Sequence, residues 1–95
     1  MMQNLHFGHV VQSTSGRDRL RVFIVIGTRE IKSGYVALTA NGVLHTAEKP
    51  KVKNPKHLKI IAELDEIEKA ELTASLANEK IVKFCNKYDN FLKKI

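Results

Sequence analysis

The sequence predicts a mainly β fold with added helix: a small, strongly bent barrel over residues 1–58, followed by a helical appendage of one or two helices over residues 59–95. Three observations carry this. Short β-branched runs separated by Gly, Asn and Ser clusters fill the first part. Beyond Lys59 the apolar residues recur at three and four. Charge divides at nearly the same place: residues 1–60 hold ten Lys/Arg against Asp18, Glu30 and Glu48, whereas residues 61–95 hold six lysines against seven acids. The net charge of +6 therefore resides in the β part.

Leu5 to Gln12 contains Phe7, Val10 and Val11 and runs into the polar cluster STSG, so a strand should end there. Val22 to Ile26, VFIVI, has strand length and β-branched composition throughout, which predicts a strand buried on both faces and stopped by Gly27. YVALTA and VLHTA flank Asn41-Gly42, a pair that accepts positive φ at both positions and predicts a hairpin. The next stretch, KPKVKNPKH, carries two prolines and can be no more than an edge strand or an extended connector, with Leu58 tucked back on the sheet. So many short strands and tight turns in so few residues favour a bent barrel over a flat sheet.

From Lys59, Ile60, Leu64 and Ile67 fall on one helical face, and Glu63, Asp65, Glu66 and Glu68 crowd the first turns, where the helix dipole favours acids. The stripe fades near Leu72, and Ser75 or Asn78 is placed to cap a second helix. In that helix Ile81, Phe84, Tyr88, Phe91 and Ile95 form the apolar face, with Lys93 and Lys94 at its end.

Several function classes are disfavoured. No apolar run approaches the ~18 residues of a membrane span, and the opening MMQNLHFGHV has neither a charged nor an apolar signal region. Cys85 is the single cysteine, so no internal disulfide or thiolate cluster is expected, and a reducing, cytoplasmic setting fits. Its place on the apolar side of the last helix predicts a buried, inert thiol. His6 and His9 form an H-x-x-H with no acidic or Cys ligand nearby in sequence; His45 sits in an expected strand and His57 in the basic connector. No phosphate-cradling Gly loop or paired catalytic carboxylates stand out. Neither an enzyme, a metal nor a cofactor is expected.

What remains is the basic charge. QSTSGRDRLR, Gln12 to Arg21, places Arg17, Arg19 and Arg21 around Asp18 at the mouth of the VFIVI strand. Ser13, Thr14 and Ser15 add hydroxyl and backbone donors suited to phosphate oxygens, and Gly16 permits a left-handed tip. On this loop alone, a solvated hairpin that binds nothing explains the residues as well. A second cluster alters the balance: Lys49, Lys51, Lys53, Lys56 and Lys59 stand without an acid among them, spread along an extended segment. Two such clusters point to a nucleic-acid backbone, read for position more than for sequence. Aromatic stacking platforms are few, with Tyr35 the one strand aromatic expected at the surface and Phe7 and Phe23 in the core, so folded RNA suits the residues better than a single strand.

GHVVQSTSGRDRLRVFIVIG together with GYVALTANGVLHTAEKPKVKNPKHL resembles the KOW-domain RNA-binding proteins of bacteria, short relatives of the eukaryotic-type L-fourteen family of large-subunit ribosomal proteins. The similarity covers roughly residues 5–60, and its most specific parts are SGRDR, ANG and EKPKVKNPKHL. It implies an SH3-like barrel whose KOW loop, carrying Gly16, contacts RNA. By position it assigns Ser13, Gly16, Arg17, Asp18, Arg19 and Arg21 to that loop, and Lys49, Lys51, Lys53, Lys56 and His57 to a basic segment. The family commonly has Gly where this chain has Leu20, a departure that bears on the twist of the loop.

The expectation is a cytoplasmic, non-catalytic RNA-binding protein whose first candidate partner is ribosomal RNA, with ribosomal proteins as further neighbours. The expected contacts are Ser13, Ser15, Gly16, Arg17, Arg19, Arg21, Lys49, Lys51, Lys53, Lys56 and His57. The rival is a protein-interaction module using the barrel or the amphipathic Ile81–Ile95 helix. Adhesion of the lysine-rich stretch to an anionic membrane lacks the apolar anchor such binding adds.

Overall fold

The computed structural model describes residues 4–93. Five antiparallel strands, β1 (His9–Ser13), β2 (Val22–Ile31), β3 (Gly34–Ala40), β4 (Lys51–Lys53) and β5 (Leu58–Glu63), form one sheet in the order β4-β3-β2-β1-β5. A short 3-10 helix, Pro55–His57, joins the two edge strands. Helices α1 (Glu66–Ala74) and α2 (Asn78–Lys93) follow. No helix among the described residues is long and apolar enough to cross a membrane.

The VFIVI run is central and buried on both faces, as its composition predicts. Val22 and Ile24 join Val10, Leu64, Leu72, Ile81 and Phe84 in a core beneath the helices. Phe23 and Val25 point the other way, into a second core with Leu5, Val11, Ala37 and Leu58. Gly27 does not end the strand. The register shifts between Val25 and Gly27, and again between Val10 and Val11, irregularities of the kind that locally bend and twist a strand.

Three further expectations are corrected. The residues from Leu58 to Glu63 are strand, not helix: β5 pairs with β1 through Val11↔Ile60 and His9↔Glu63. Ile60 therefore packs on the second core, Leu64 on the first, and Ile67 lies 73% exposed, so the apparent helical stripe is divided among three places. Secondly, Val43–Ala47 is a loop. Asn41 does turn the chain, its Oδ1 accepting from the Val43 and His45 N–H groups at 3.1 and 3.0 Å. No strand returns because α2 fills the space: a Cβ on Gly42 would lie 2.6 Å from both the Asn78 carbonyl oxygen and Val82 Cγ2. The tight hairpin lies instead at Ile31↔Gly34, between β2 and β3. Thirdly, Tyr35 is half-buried, its hydroxyl accepting from the Leu5 N–H at 3.0 Å.

The helix boundaries follow local chemistry. Asp65 caps α1, accepting from the Glu68 N–H at 2.8 Å while Glu68 Oε1 accepts from the Asp65 N–H at 3.0 Å, a reciprocal capping box. Glu68 is itself buried, and α2 completes its partners: Lys87 Nζ at 2.8 Å and the Tyr88 hydroxyl at 3.0 Å. These contacts hold the carboxyl below its usual range against the opposing effect of burial. Asn78 begins α2, but its side chain is spent on the loop, accepting from the Ala47 N–H and donating to Glu48. Ile81, Phe84 and Cys85 are buried and Tyr88 half-buried, while Phe91 is 58% exposed; Lys94 and Ile95 lie outside the described residues.

Candidate nucleic-acid interface

The segment between β1 and β2 is a tied loop. Its neck closes through Leu20 N–H to the Ser13 carbonyl at 2.8 Å and Ser13 N–H to the Arg21 carbonyl at 3.0 Å. Within it, Arg21 N–H reaches the Asp18 carbonyl at 2.9 Å and Arg19 N–H the Gly16 carbonyl at 3.2 Å. Two residues take the left-handed conformation: Gly16 at φ 76°, which costs glycine little, and Leu20 at φ 72°, which a branched side chain resists.

Beneath the loop lies a small polar group. Lys53, from β4, extends its ammonium to Ser13 Oγ at 3.0 Å and Asp18 Oδ2 at 3.5 Å, over the Phe23 ring. Ser13 Oγ donates in turn to the Ser15 carbonyl at 3.1 Å, and His45 Nε2 stands 4.0 Å from the same Asp18 oxygen. Asp18 therefore pairs with Lys53 and His45 rather than with a neighbouring arginine. Next to this group the Thr14 N–H donates to the His57 carbonyl at 2.9 Å, which sets the 3-10 helix against the base of the loop. Asn54 caps that helix, its Oδ1 accepting from the Lys56 N–H.

Two of the expected contact residues thus face inward. Ser13 is fully buried, and the Lys53 side chain is only 11% exposed. Their hydroxyl and ammonium brace the loop instead of addressing solvent. Arg17, Arg19, Arg21, Lys56 and His57 are exposed, Gly16 is exposed at the loop tip, and Ser15 is half-buried. Lys51 is exposed on β4, and Lys49 precedes it, its N–H directed to Thr46. Among the described residues no carboxylate forms an ion pair with Arg17, Arg19, Arg21, Lys49, Lys51 or Lys56.

Two features escape sequence reasoning. One is a cleft of about 540 Å³ between the loop, the Asn41 turn and α2, with Arg19, Leu20 and Arg21 on one wall and Val43 and Leu44 on another. The other is a cluster at the start of β1. The H-x-x-H does gain an acid, because the β1–β5 register sets Glu63 beside His9, with Nε2 and Oε1 3.8 Å apart. The groups are already engaged, however. His9 Nδ1 accepts from the His6 N–H at 3.1 Å, and Lys69 holds the other Glu63 oxygen. Burial, the nearby His6 and Lys69 lower the His9 pKa, with Glu63 opposing them. Cys85 matches its expectation: buried, with burial and the neighbouring Asp89 pushing its thiol up to about 12.

In comparisons with known proteins, the chain matches no family model and no curated sequence.

Proposed function

We propose that the protein binds structured RNA, without catalysis, through the exposed arginines of the 14–21 loop and the lysines and histidine of the neighbouring basic segment. Ribosomal RNA in the cytoplasm is the first candidate, and the protein belongs with the KOW-type proteins its sequence resembles. One observation carries the reading. Clusters some forty residues apart meet, through Thr14 with His57 and through Lys53 with Ser13 and Asp18, while the remaining cations stay exposed and unpaired with acids. A braced loop fixes the backbone that carries the arginines before binding, so less loop freedom is lost when phosphates arrive.

The fold we propose is an SH3-like barrel. The strand order, the two bulges and the 3-10 helix between β4 and β5 support it, as do the contacts that draw the end of β4 to the end of β1. On this fold the arginines stand at the mouth of a strand whose first residues are buried on both sides.

Arginine and lysine act here by displacing counterions from phosphates. With roughly four to seven phosphate contacts, log affinity should fall against log salt with a slope of about −3 to −6. Crosslinking the tagged protein to RNA in its native cells, followed by sequencing, is the test. Enrichment at one ribosomal RNA region that disappears with Arg17→Ala plus Arg19→Ala is the expected result. A diffuse RNA profile that this double substitution leaves unaltered would remove the loop from any RNA site.

A further inference from the structure

We propose that the cleft between the 14–21 loop, the Asn41 turn and α2 docks an acidic peptide segment of a partner protein, with an aliphatic side chain of that segment as its anchor. Three large aliphatic residues converge on this cleft and stand open to solvent: Leu20 at 65%, Val43 at 69% and Leu44 at 64% exposure. Single exposed leucines are ordinary, but three lining one concave site form an apolar patch of the kind that marks an interface. Leu20 is held at a positive φ, and Asn41 props the Val43–Leu44 step outward through its two backbone hydrogen bonds. The volume, about 540 Å³, suits one or two side chains of a docked segment.

Charge decides what kind of segment. Arg19, Arg21 and Lys93 line the cleft, and the one carboxylate among its lining residues, Asp89, lies 3.3 Å from Lys93. The rim is therefore cationic around an aliphatic floor, complementary to a segment with Asp or Glu flanking Leu, Ile or Val. An unpaired RNA base is the other anionic occupant to weigh. Bases stack best on aromatic faces, and no aromatic ring is among the described lining residues, which leaves a base only the guanidinium planes of Arg19 and Arg21. Branched aliphatics with arginine at the edge match the make-up of a protein interface instead. The cleft shares Arg19 and Arg21 with the proposed RNA surface, whereas Arg17, Lys56 and His57 lie outside its lining and stay open when a peptide sits here.

The test selects short random peptides on phage against the immobilised full chain, then measures synthetic, fluorescein-labelled winners by polarisation. The expected winners carry acids on both sides of an aliphatic residue. Leu44→Asp and Arg21→Glu should each weaken them by about tenfold or more, whereas Arg17→Ala leaves them unaffected. Val43→Glu serves as a second cleft variant should Leu44→Asp alter the melting curve. RNA affinity, measured in parallel on the uncharged Leu44→Ser, separates the two readings: the cleft reading requires that Leu44→Ser weaken the peptides and leave RNA affinity unchanged. Failure to enrich any peptide, or winners indifferent to both Leu44→Asp and Val43→Glu, overturns the proposal. A loss of RNA affinity in Leu44→Ser without any peptide binding also overturns it and gives the cleft to a nucleotide. RNA affinity absent from the parent chain would sink the RNA function alone.

Discussion

Replacing Lys53 by methionine keeps the length and the apolar stem of the side chain and removes only the ammonium. That group lies 3.0 Å from Ser13 Oγ and 3.5 Å from Asp18 Oδ2, with 11% and 16% side-chain exposure for Lys53 and Asp18. Sheltered to this degree, the pair differs from an open surface salt bridge, which contributes about 0–1 kcal/mol. A hydrogen bond to a charged group contributes about 1.5–3 kcal/mol, and the ammonium 5.7 Å from the Phe23 ring adds a smaller share. The substitution also leaves Asp18 without its nearest cation, while the retained stem prevents a cavity. The sum is a loss of about 2–3 kcal/mol, or roughly 10–20 °C in melting temperature for a domain this size. Thermal unfolding followed by circular dichroism reads it directly, and a double-mutant cycle with Asp18→Asn should show coupling of about 1 kcal/mol. Lys56→Ala is the contrast, since an exposed lysine at the RNA surface should lower affinity and flatten the salt slope without moving the melt. A Lys53→Met protein that melts with the parent yet loses RNA affinity as Lys56→Ala does would refute the bracing role.

Other consequences are equally direct. Leu20→Gly relieves a left-handed leucine that costs about 1–2 kcal/mol, offset by the roughly 0.5–1 kcal/mol of extra backbone freedom in the unfolded glycine chain; a melting temperature equal to or a few degrees above the parent is expected, and a clear drop would contradict the conformation. Gly42→Ala meets both a positive φ of 82° and backbone and side-chain atoms of α2 at 2.6 Å, so it should destabilise by about 2 kcal/mol or more in urea unfolding. His9 has a folded pKa below its ordinary 6.5, so protons prefer the unfolded chain: its neutral form supports the fold fully above that pH, and stability declines as pH falls from 6.5 toward the folded value. An NMR titration of the His9 ring should give a midpoint below 6.5, and one above it would reverse the sign.

The elements legible in the sequence are those whose partners are local or whose composition admits one environment. VFIVI had to be central because all its residues are apolar, and the Arg loop had to be a turn because STSG precedes it and Gly16 sits in it. Asp65 and Glu68 wrote the start of α1 in a capping box, within a stretch whose helical beginning was expected about two turns early. β5 was not legible, because Ile60, Leu64 and Ile67 happen to satisfy a helical period, and only pairing with β1, some fifty residues away, makes the segment a strand. The Asn41-Gly42 signal was real as a turn but not as a hairpin, since α2 takes the place of the returning strand. The site shows the same division. That the loop and the lysine segment are basic is a matter of composition, but that Lys53 and Ser13 face inward, and that Glu63 reaches the H-x-x-H, depends on which strands lie side by side.

One feature of the sheet has a bearing on how the protein lives at high concentration. β4 is an outer strand of only three residues, with Lys51 and Lys53 at its ends and Pro50 and Pro55 just beyond. An open edge is an invitation for another molecule to add its own strand and begin an aggregate. Here the few backbone groups available are bracketed by residues that cannot donate, and Lys51 repels an identical edge. Lys51, exposed on that edge, thus also guards the sheet against its own kind, so neutralising it would trade away solubility.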